Sequence, residues 1–222
     1  MSIKDEITKG IIAVYKPIGV TSFDVIRRLR TLTGIKKIGH AGTLDPLAKG
    51  VLVVGIGKEA CKSLAENVKK EKEYLAVIRL GQKSSTDDEE GIKKIIKYTK
   101  KPKLEEIKNI LPQFQGLVSQ IPPIFSAIKV NGQRAYSLAR KGKKFSLKAR
   151  IIDIKKIDLI SYKWPNLYIK AITGPGVYIR SLARDIGKEL NCGGYLANLE
   201  RTRVGEFTIK KAKYIYEKEK KK

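Results

Sequence analysis

Residues 39–50 read GHAGTLDPLAKG, and an apolar run at 51–56 follows at once. Asp45 stands in this stretch among glycines and small residues, directly before Pro46. A proline disfavours the helical region for the residue before it, so Asp45 cannot simply continue a helix. Gly39, Gly42 and Gly50 permit sharp turns or a close approach of the backbone to a ligand. The pattern predicts a carboxylate displayed on a shaped loop at the start of a buried strand. A turn aspartate of purely structural role is the alternative reading at this stage.

Working outward, residues 11–15 predict a short buried strand ended by the turn Lys16-Pro17-Ile18-Gly19. Thr21 and Asp24 form a capping-box pattern, with Phe23, Ile26 and Leu29 following at helical spacing and Gly34 placed to close the helix. A helix is expected over 58–68, an alternating strand over 73–80, a polar loop over 81–91 and a short helix over 104–111. Asn131-Gly132 marks a hairpin turn after a strand at 126–130, and 136–140 suggests a helix. Strand patterns at 145–162 and 167–173 meet at Trp164-Pro165-Asn166, and Gly174-Pro175-Gly176 leads into a helix over 178–190. Strands and helices are mixed without the regular alternation of a doubly wound fold. The expected class is therefore α+β, with a largely antiparallel sheet flanked by helices and loops.

Composition narrows the function. Among 222 residues, 47 are Lys or Arg and 22 are Asp or Glu, for a formal net charge of +25. A surplus that large attracts polyanions, nucleic acid first and an anionic membrane second. No apolar run is long enough to span a bilayer, and the first ten residues lack the apolar core of a signal peptide. Cys61 and Cys192 make no disulfide framework, and His40 is the one histidine, so no metal site is expected. These features predict a cytoplasmic, metal-free, basic globular protein. There is no P-loop and no Ser–His–Asp order, which disfavours a phosphoryl-transfer or hydrolase toolkit. An acid working beside RNA phosphates needs a cation partner, and Arg180, just after GPGVY at a helix start, is the candidate. A phosphate contact is the alternative use of that arginine.

Five blocks occur in order: AVYKPIGVTSFDVI, IGHAGTLDPLAKGVLVVGIGKE, KEYLAVIRLG, QIPPIFSAIKVNGQRAYSLARKG and TGPGVYIRSLARDIG. Together they closely resemble the bacterial TruB-type tRNA pseudouridine-55 synthases, over roughly residues 11–207. The resemblance implies the pseudouridine synthase catalytic fold and isomerisation of a uridine in the tRNA T stem-loop, without cofactor or metal. Asp45, in GTLDP, takes the place of the essential aspartate, which attacks sugar or base or handles a sugar proton. Tyr74, in KEYLA, matches the tyrosine that stacks on the target base and is a candidate proton acceptor. Tyr178 and Arg180, in VYIR, match the pocket tyrosine and the arginine paired with the aspartate. His40 matches a histidine stacked in the remodelled T loop, and Leu199 an apolar residue lining the uracil pocket. Lys16 and Pro17 match a motif supporting the catalytic loop from beneath.

The residues themselves leave a blander reading open for most of these positions: core packing for Tyr74, Tyr178 and Leu199, and a loop or core role for His40. The sequence also departs from the family. A Thr-Asp-Thr run common after the tyrosine-bearing strand reads SSTDDEEG here, keeping Thr86, Asp88 and Gly91 but starting with Ser84 and Ser85. Most family members carry a C-terminal RNA-binding module of the PUA type. For this chain the expectation is a catalytic domain over 1–210 and a lysine-rich tail over 211–222, without a PUA domain. A monomer is the default, with tRNA as partner and no obligate protein partner. Competing readings are a pseudouridine synthase acting on another RNA or guided by a partner complex, a non-catalytic tRNA chaperone using the same pocket, and a basic ribosome-associated module.

Overall fold

A computed structural model describes residues 9–216; of the lysine-rich tail expected over 211–222, residues 217–222 lie outside them. Among the described residues two compact units form, one from residues 9–75 together with 199–216, the other from Ala76–Asn198. The first unit contains β1 (Gly10–Lys16), α1 (Ser22–Thr33), β2 (Ile38–Ala41), β3 (Ala48–Ile56), α2 (Lys58–Lys62) and α3 (Leu64–Lys69). The chain leaves it along β4 (Lys72–Leu80). The second unit holds β5 (Gln82–Ser84), β6 (Lys93–Ile95), α4 (Leu104–Ile110), β7 (Gly116–Gln120), β8 (Lys129–Val130), β9 (Gln133–Arg134) and α5 (Ala135–Arg140). It continues through β10 (Arg150–Lys163), β11 (Asn166–Thr173) and α6 (Ile179–Glu189), and the chain returns along β12 (Gly194–Val204) to β13 (Phe207–Thr208).

In the first unit β3 is the central strand. It pairs antiparallel with β1, from Gly10↔Ile56 to Lys16↔Gly50, and with β2, from Ile38↔Ile56 to Ala41↔Val53. Its first residues pair parallel with β12, Leu199↔Ala48 to Arg201↔Gly50. Both faces of β3 are covered. Leu52, Val54 and Ile56 pack with Val25, Ile26 and Leu29 of α1, while Val51 and Val53 pack with Leu64, Val204 and Ala212. Burial on both faces is why the 51–56 run is uninterruptedly apolar instead of alternating.

Helix α1 forms as its sequence predicts. Thr21 accepts from the Asp24 backbone, Asp24 accepts from the Thr21 backbone, and Gly34 ends the helix in the left-handed conformation. The buried stripe is Ser22, Val25, Ile26 and Leu29, however, and Phe23 lies outside it, exposed to solvent. The helix expected over 58–68 divides at Ser63, whose N–H (3.2 Å) and hydroxyl (3.4 Å) both donate to the Glu59 carbonyl.

The second unit is built on antiparallel pairs. The long β10 pairs with β11 on one side and β7 on the other. It begins at Arg150, opposite Gln120 at the end of β7, and not at 145 as its composition suggests, because no partner strand extends further. Part of the expected 81–91 loop is β5, paired with β6. The strand expected at 126–130 shortens to β8, whose turn into β9 places Asn131 and Gly132 at φ 49° and 79°. Helix α6 buries Ile179, Leu182, Ala183 and Ile186. Apart from the parallel β3–β12 pair, the pairings described here are antiparallel, and the architecture is a mixed α+β fold.

Gly50 marks the closest backbone approach at the loop end of β3. A Cβ there would stand 2.2 Å from the Arg201 carbonyl oxygen, at φ +110°. Gly50→Ala is therefore expected to destabilise the protein by at least about 2 kcal/mol, through overpacking and backbone strain together. Equilibrium urea denaturation checks this, with Gly10→Ala, where a Cβ would meet nothing within 4 Å, as the comparison.

Candidate active site

Asp45 occupies a partly exposed loop fixed at several points. Before it, Leu44 donates its N–H to the Ser22 hydroxyl and accepts from that hydroxyl, both at 2.9 Å, at the first turn of α1. The Asp45 carbonyl accepts from Ala48 at 3.0 Å, closing a turn. After it, the Pro46 carbonyl accepts from Gly19 N–H at 2.9 Å and from Lys16 Nζ at 3.3 Å. Lys16 is fully buried, and its ammonium also donates to the carbonyls of Pro17 (2.9 Å) and Val20 (2.7 Å). The Lys16–Pro17 turn and the Asp45 loop are thus tied through one cation.

A second buried cation, Arg201, grips the same segment further out. Its Nε donates to the Val51 carbonyl and its Nη2 to the Gly42 carbonyl, each at 2.8 Å. The backbone on both sides of Asp45 is therefore held by one guanidinium, whose fork geometry suits two fixed acceptors. Sequence reasoning did not single out Arg201. The available signal is its position two residues after Leu199, on the same face of a strand, where an arginine is out of keeping with an apolar neighbour.

His40 lies in β2 opposite Val54, not in a loop. It is half-buried, and its Nδ1 has no hydrogen-bond partner. Burial, reinforced by the Arg201 charge, holds its pKa below the usual imidazole range, so the ring is neutral at physiological pH. Tyr74 and Leu199 are both buried, Tyr74 in β4 and Leu199 beside Ala48 in β12. Lys72 shares the buried face of β4 with Tyr74; its ammonium donates to the carbonyls of Val68 (2.8 Å) and Lys70 (2.7 Å). Burial, then the Arg201 charge, pulls its pKa down to about 8.

In the second unit, Tyr178 is the N-cap residue of α6, and the buried Gln120 side chain clasps its backbone. Gln120 accepts from the Tyr178 N–H at 2.9 Å and donates to its carbonyl at 3.2 Å. Arg180 is buried in the first turn of α6. Its guanidinium donates to Asp88 Oδ2 (3.3 Å) and to the carbonyls of Thr86 (3.4 Å) and Phe125 (2.9 Å). Asp88, equally buried, also accepts from the Thr86 hydroxyl and from the Glu90 N–H. Ser84 and Ser85, where the sequence departs from the family pattern, both serve this loop. Ser84 Oγ bonds Thr86, and Ser85 Oγ accepts from Ile92 N–H. One turn along α6, Arg184 donates to Asp87 Oδ2 at 2.8 Å and to the Ile121 carbonyl at 2.7 Å. Gln120, Asp87 and Arg184 escaped the sequence reading, since their partners are remote in the chain.

Residues 30–179 match the N-terminal domain of TruB family pseudouridylate synthases, and residues 180–218 match the tRNA pseudouridylate synthase B C-terminal domain. This chain belongs to the TruB family. Curated relatives named tRNA pseudouridine synthase B include those of Clostridium kluyveri, 45% identical over 90% of this chain and 68% of its own length, and Ehrlichia ruminantium, 43% identical over 91% and 69%. That of Chlamydia felis is 42% identical over 94% of this chain and 88% of its own. Among solved structures, a Cbf5–Nop10–Gar1 complex contains a chain that matches with a TM-score of 0.70 at 26% identity. The match covers 94% of the present TruB-family chain but only about half (52%) of that one.

The depressed Lys72 pKa has a measurable consequence in this TruB-family chain. Lys72 loses its proton near pH 8 when folded, against a usual value of 10.5. Between those values the unfolded chain holds more protons, so stability rises with pH across the window, by up to about 3 kcal/mol. Below pH 8 both states are charged and the cost of burying the ammonium is fully present. Lys72→Met is expected to flatten this rise, read as the difference between variant and wild-type unfolding free energies from pH 7.5 to 10.

Proposed function

We propose that the chain isomerises the T-loop uridine of tRNA, position 55, to pseudouridine, with Asp45 as the essential acid. The observation that carries the reading is the Asp45 loop of a TruB-family chain, pinned on both sides by Lys16, Ser22 and Arg201. A group that assists a bond exchange must be held in place before the substrate arrives, and this loop is built for that.

The reaction breaks the N1–C1′ bond of uridine, turns the uracil and joins C5 to the same C1′. The C5 proton leaves and N1 gains one, so neither cofactor nor metal is consumed. Asp45 assists the cleavage, by attack on sugar or base or by accepting a sugar proton. A base inside a stacked loop is reached by taking it out of the stack, and Tyr74, Tyr178 and Leu199 supply the aromatic and apolar surfaces such a base requires. Arg180 serves as the cation for the acid. That role rests on the match of its VYIR segment to the family, and within its own unit the guanidinium is held by Asp88 and the Phe125 carbonyl. Neutral His40, with an unpartnered ring nitrogen, suits stacking against RNA. The surplus of cations supplies the sequence-independent part of tRNA affinity, which falls steeply with salt. The proposal includes work as a monomer in the cytoplasm.

A synthase guided by partner proteins has less support. The relatives named tRNA pseudouridine synthase B reach 42–46% identity, against 26% for the Cbf5 complex chain. Mapping pseudouridine in an unmodified tRNA transcript after incubation tests the reading. The expected result is modification at the T-loop uridine with the wild type and none with Asp45→Asn, at a tRNA affinity within a few-fold of wild type. Binding of tRNA by the wild type without product would favour a chaperone role or a different RNA.

A further inference from the structure

The first helix presents a face that the proposed reaction does not use. Its buried stripe is Ser22, Val25, Ile26 and Leu29. Turned away from it, Phe23, Arg27 and Arg30 recur at i, i+4 and i+7, with Arg28 beside them, and all four are exposed. Phe23 is 55% accessible. The guanidinium carbons of Arg27 and Arg30 each stand 5.8 Å from the centroid of its ring. Arg27 is also paired with Asp24, whereas Arg28 and Arg30 have no carboxylate partner among the described residues. Ile18, in the preceding turn, is exposed as well.

A single exposed phenylalanine needs no explanation by itself. Three features together do. The ring is flanked by two guanidinium groups, which orient along aromatic faces and also bind phosphates. The face carries three arginines against one aspartate. It is also fixed to the Asp45 loop: Ser22, the residue before Phe23, exchanges two hydrogen bonds with Leu44, and Gly19 bonds Pro46. An unpaired nucleotide matches this chemistry. Its base has a π-face for the phenylalanine, and its flanking phosphates suit the arginines.

We propose that Phe23, Arg27 and Arg30 form a stacking platform for an unpaired nucleotide of the RNA substrate, outside the nucleotide that reacts. The base lies on the Phe23 ring and the adjoining phosphates meet Arg30 and Arg27. The inference rests on the RNA-modifying reading above. It adds a specificity element, because only an RNA whose strand is single where it crosses α1 can use the platform.

The test compares wild type, Phe23→Ala, Phe23→Trp and Arg30→Gln on an unmodified tRNA transcript, reading kcat, KM, tRNA Kd and the salt dependence of Kd. Arg30→Gln is chosen because it leaves the Arg27–Asp24 pair and the capping box intact. Phe23→Ala is expected to raise KM and Kd about tenfold, the usual loss for one stacked base, with kcat within twofold. Phe23→Trp should restore both, which a purely structural role for the ring would not require. Arg30→Gln should lower the slope of log K against log salt by about 0.7, as for one contact to a single strand. Thermal unfolding by circular dichroism verifies that each variant is folded. An unchanged KM and Kd in Phe23→Ala, or no recovery in Phe23→Trp, would overturn the platform. Absence of pseudouridine with the wild type would instead strike the enzymatic reading, while the Kd measurements still decide the platform.

Discussion

The ammonium of Lys16 is removed from water and placed among the carbonyls of Pro17, Val20 and Pro46. An unpaired buried charge costs several kcal/mol, so its acceptors must stay where they are for the fold to persist. Two of those carbonyls lie in the turn after β1 and the third follows Asp45. Solvating one cation from within therefore fixes the separation between the turn after β1 and the Asp45 loop. The adjacent contacts depend on this arrangement. Gly19 reaches the same Pro46 carbonyl, and Ser22 reaches Leu44 only because the turn delivers α1 at the correct height.

Among the described residues Lys16 is one of three buried cations in the first unit, with Lys72 and Arg201. All three direct their donors to backbone carbonyls: at Pro17, Val20 and Pro46, at Val68 and Lys70, and at Gly42 and Val51. Carbonyl oxygens carry partial charge only, and the Arg201 charge acts on the ionisable groups around it. Its effect is visible at His40 and Lys72, where the Arg201 charge adds to desolvation in disfavouring protonation. For a protein handling a polyanion the arrangement is economical. Loop rigidity and a cation-rich setting come from the same side chains, without surface lysines whose charge salt would screen.

What the sequence discloses and what it conceals divide along a physical line. The capping box of α1 and the Gly34 stop are local events and could be read residue by residue. The β3 run was legible because burial on both faces leaves only apolar residues. Phe23 misled, since helical spacing states which residues share a face but not how wide the buried face is. The division of the 58–68 helix at Ser63 has no signal in the helical spacing, which runs through it. The late start of β10 was set by the reach of β7, a non-local fact. At the site, Asp45, Lys16 and Arg180 stand in recognisable motifs, whereas Arg201 and Gln120 matter through partners 159 and 58 residues away in the chain. No local pattern records such a pairing.

The parallel register of β12 on β3 links these levels. Pairing Leu199 with Ala48 sets Arg201 against Gly50, and the two backbones approach so closely there that a methyl group would collide with the Arg201 carbonyl. With glycine at 50, the strand carrying Arg201 can settle against β3, and from that position its guanidinium spans from Val51 back to Gly42. The same register brings Leu199 beside the residue that opens β3, three positions after Asp45. A leucine at a candidate base pocket, a clamp on the loop and a glycine without a side chain are thus consequences of one strand pairing. Shifting it by one residue would turn Leu199 and Arg201 to the opposite face together. The arginine would lose both carbonyls and the loop its outer brace, even with every residue around Asp45 unchanged.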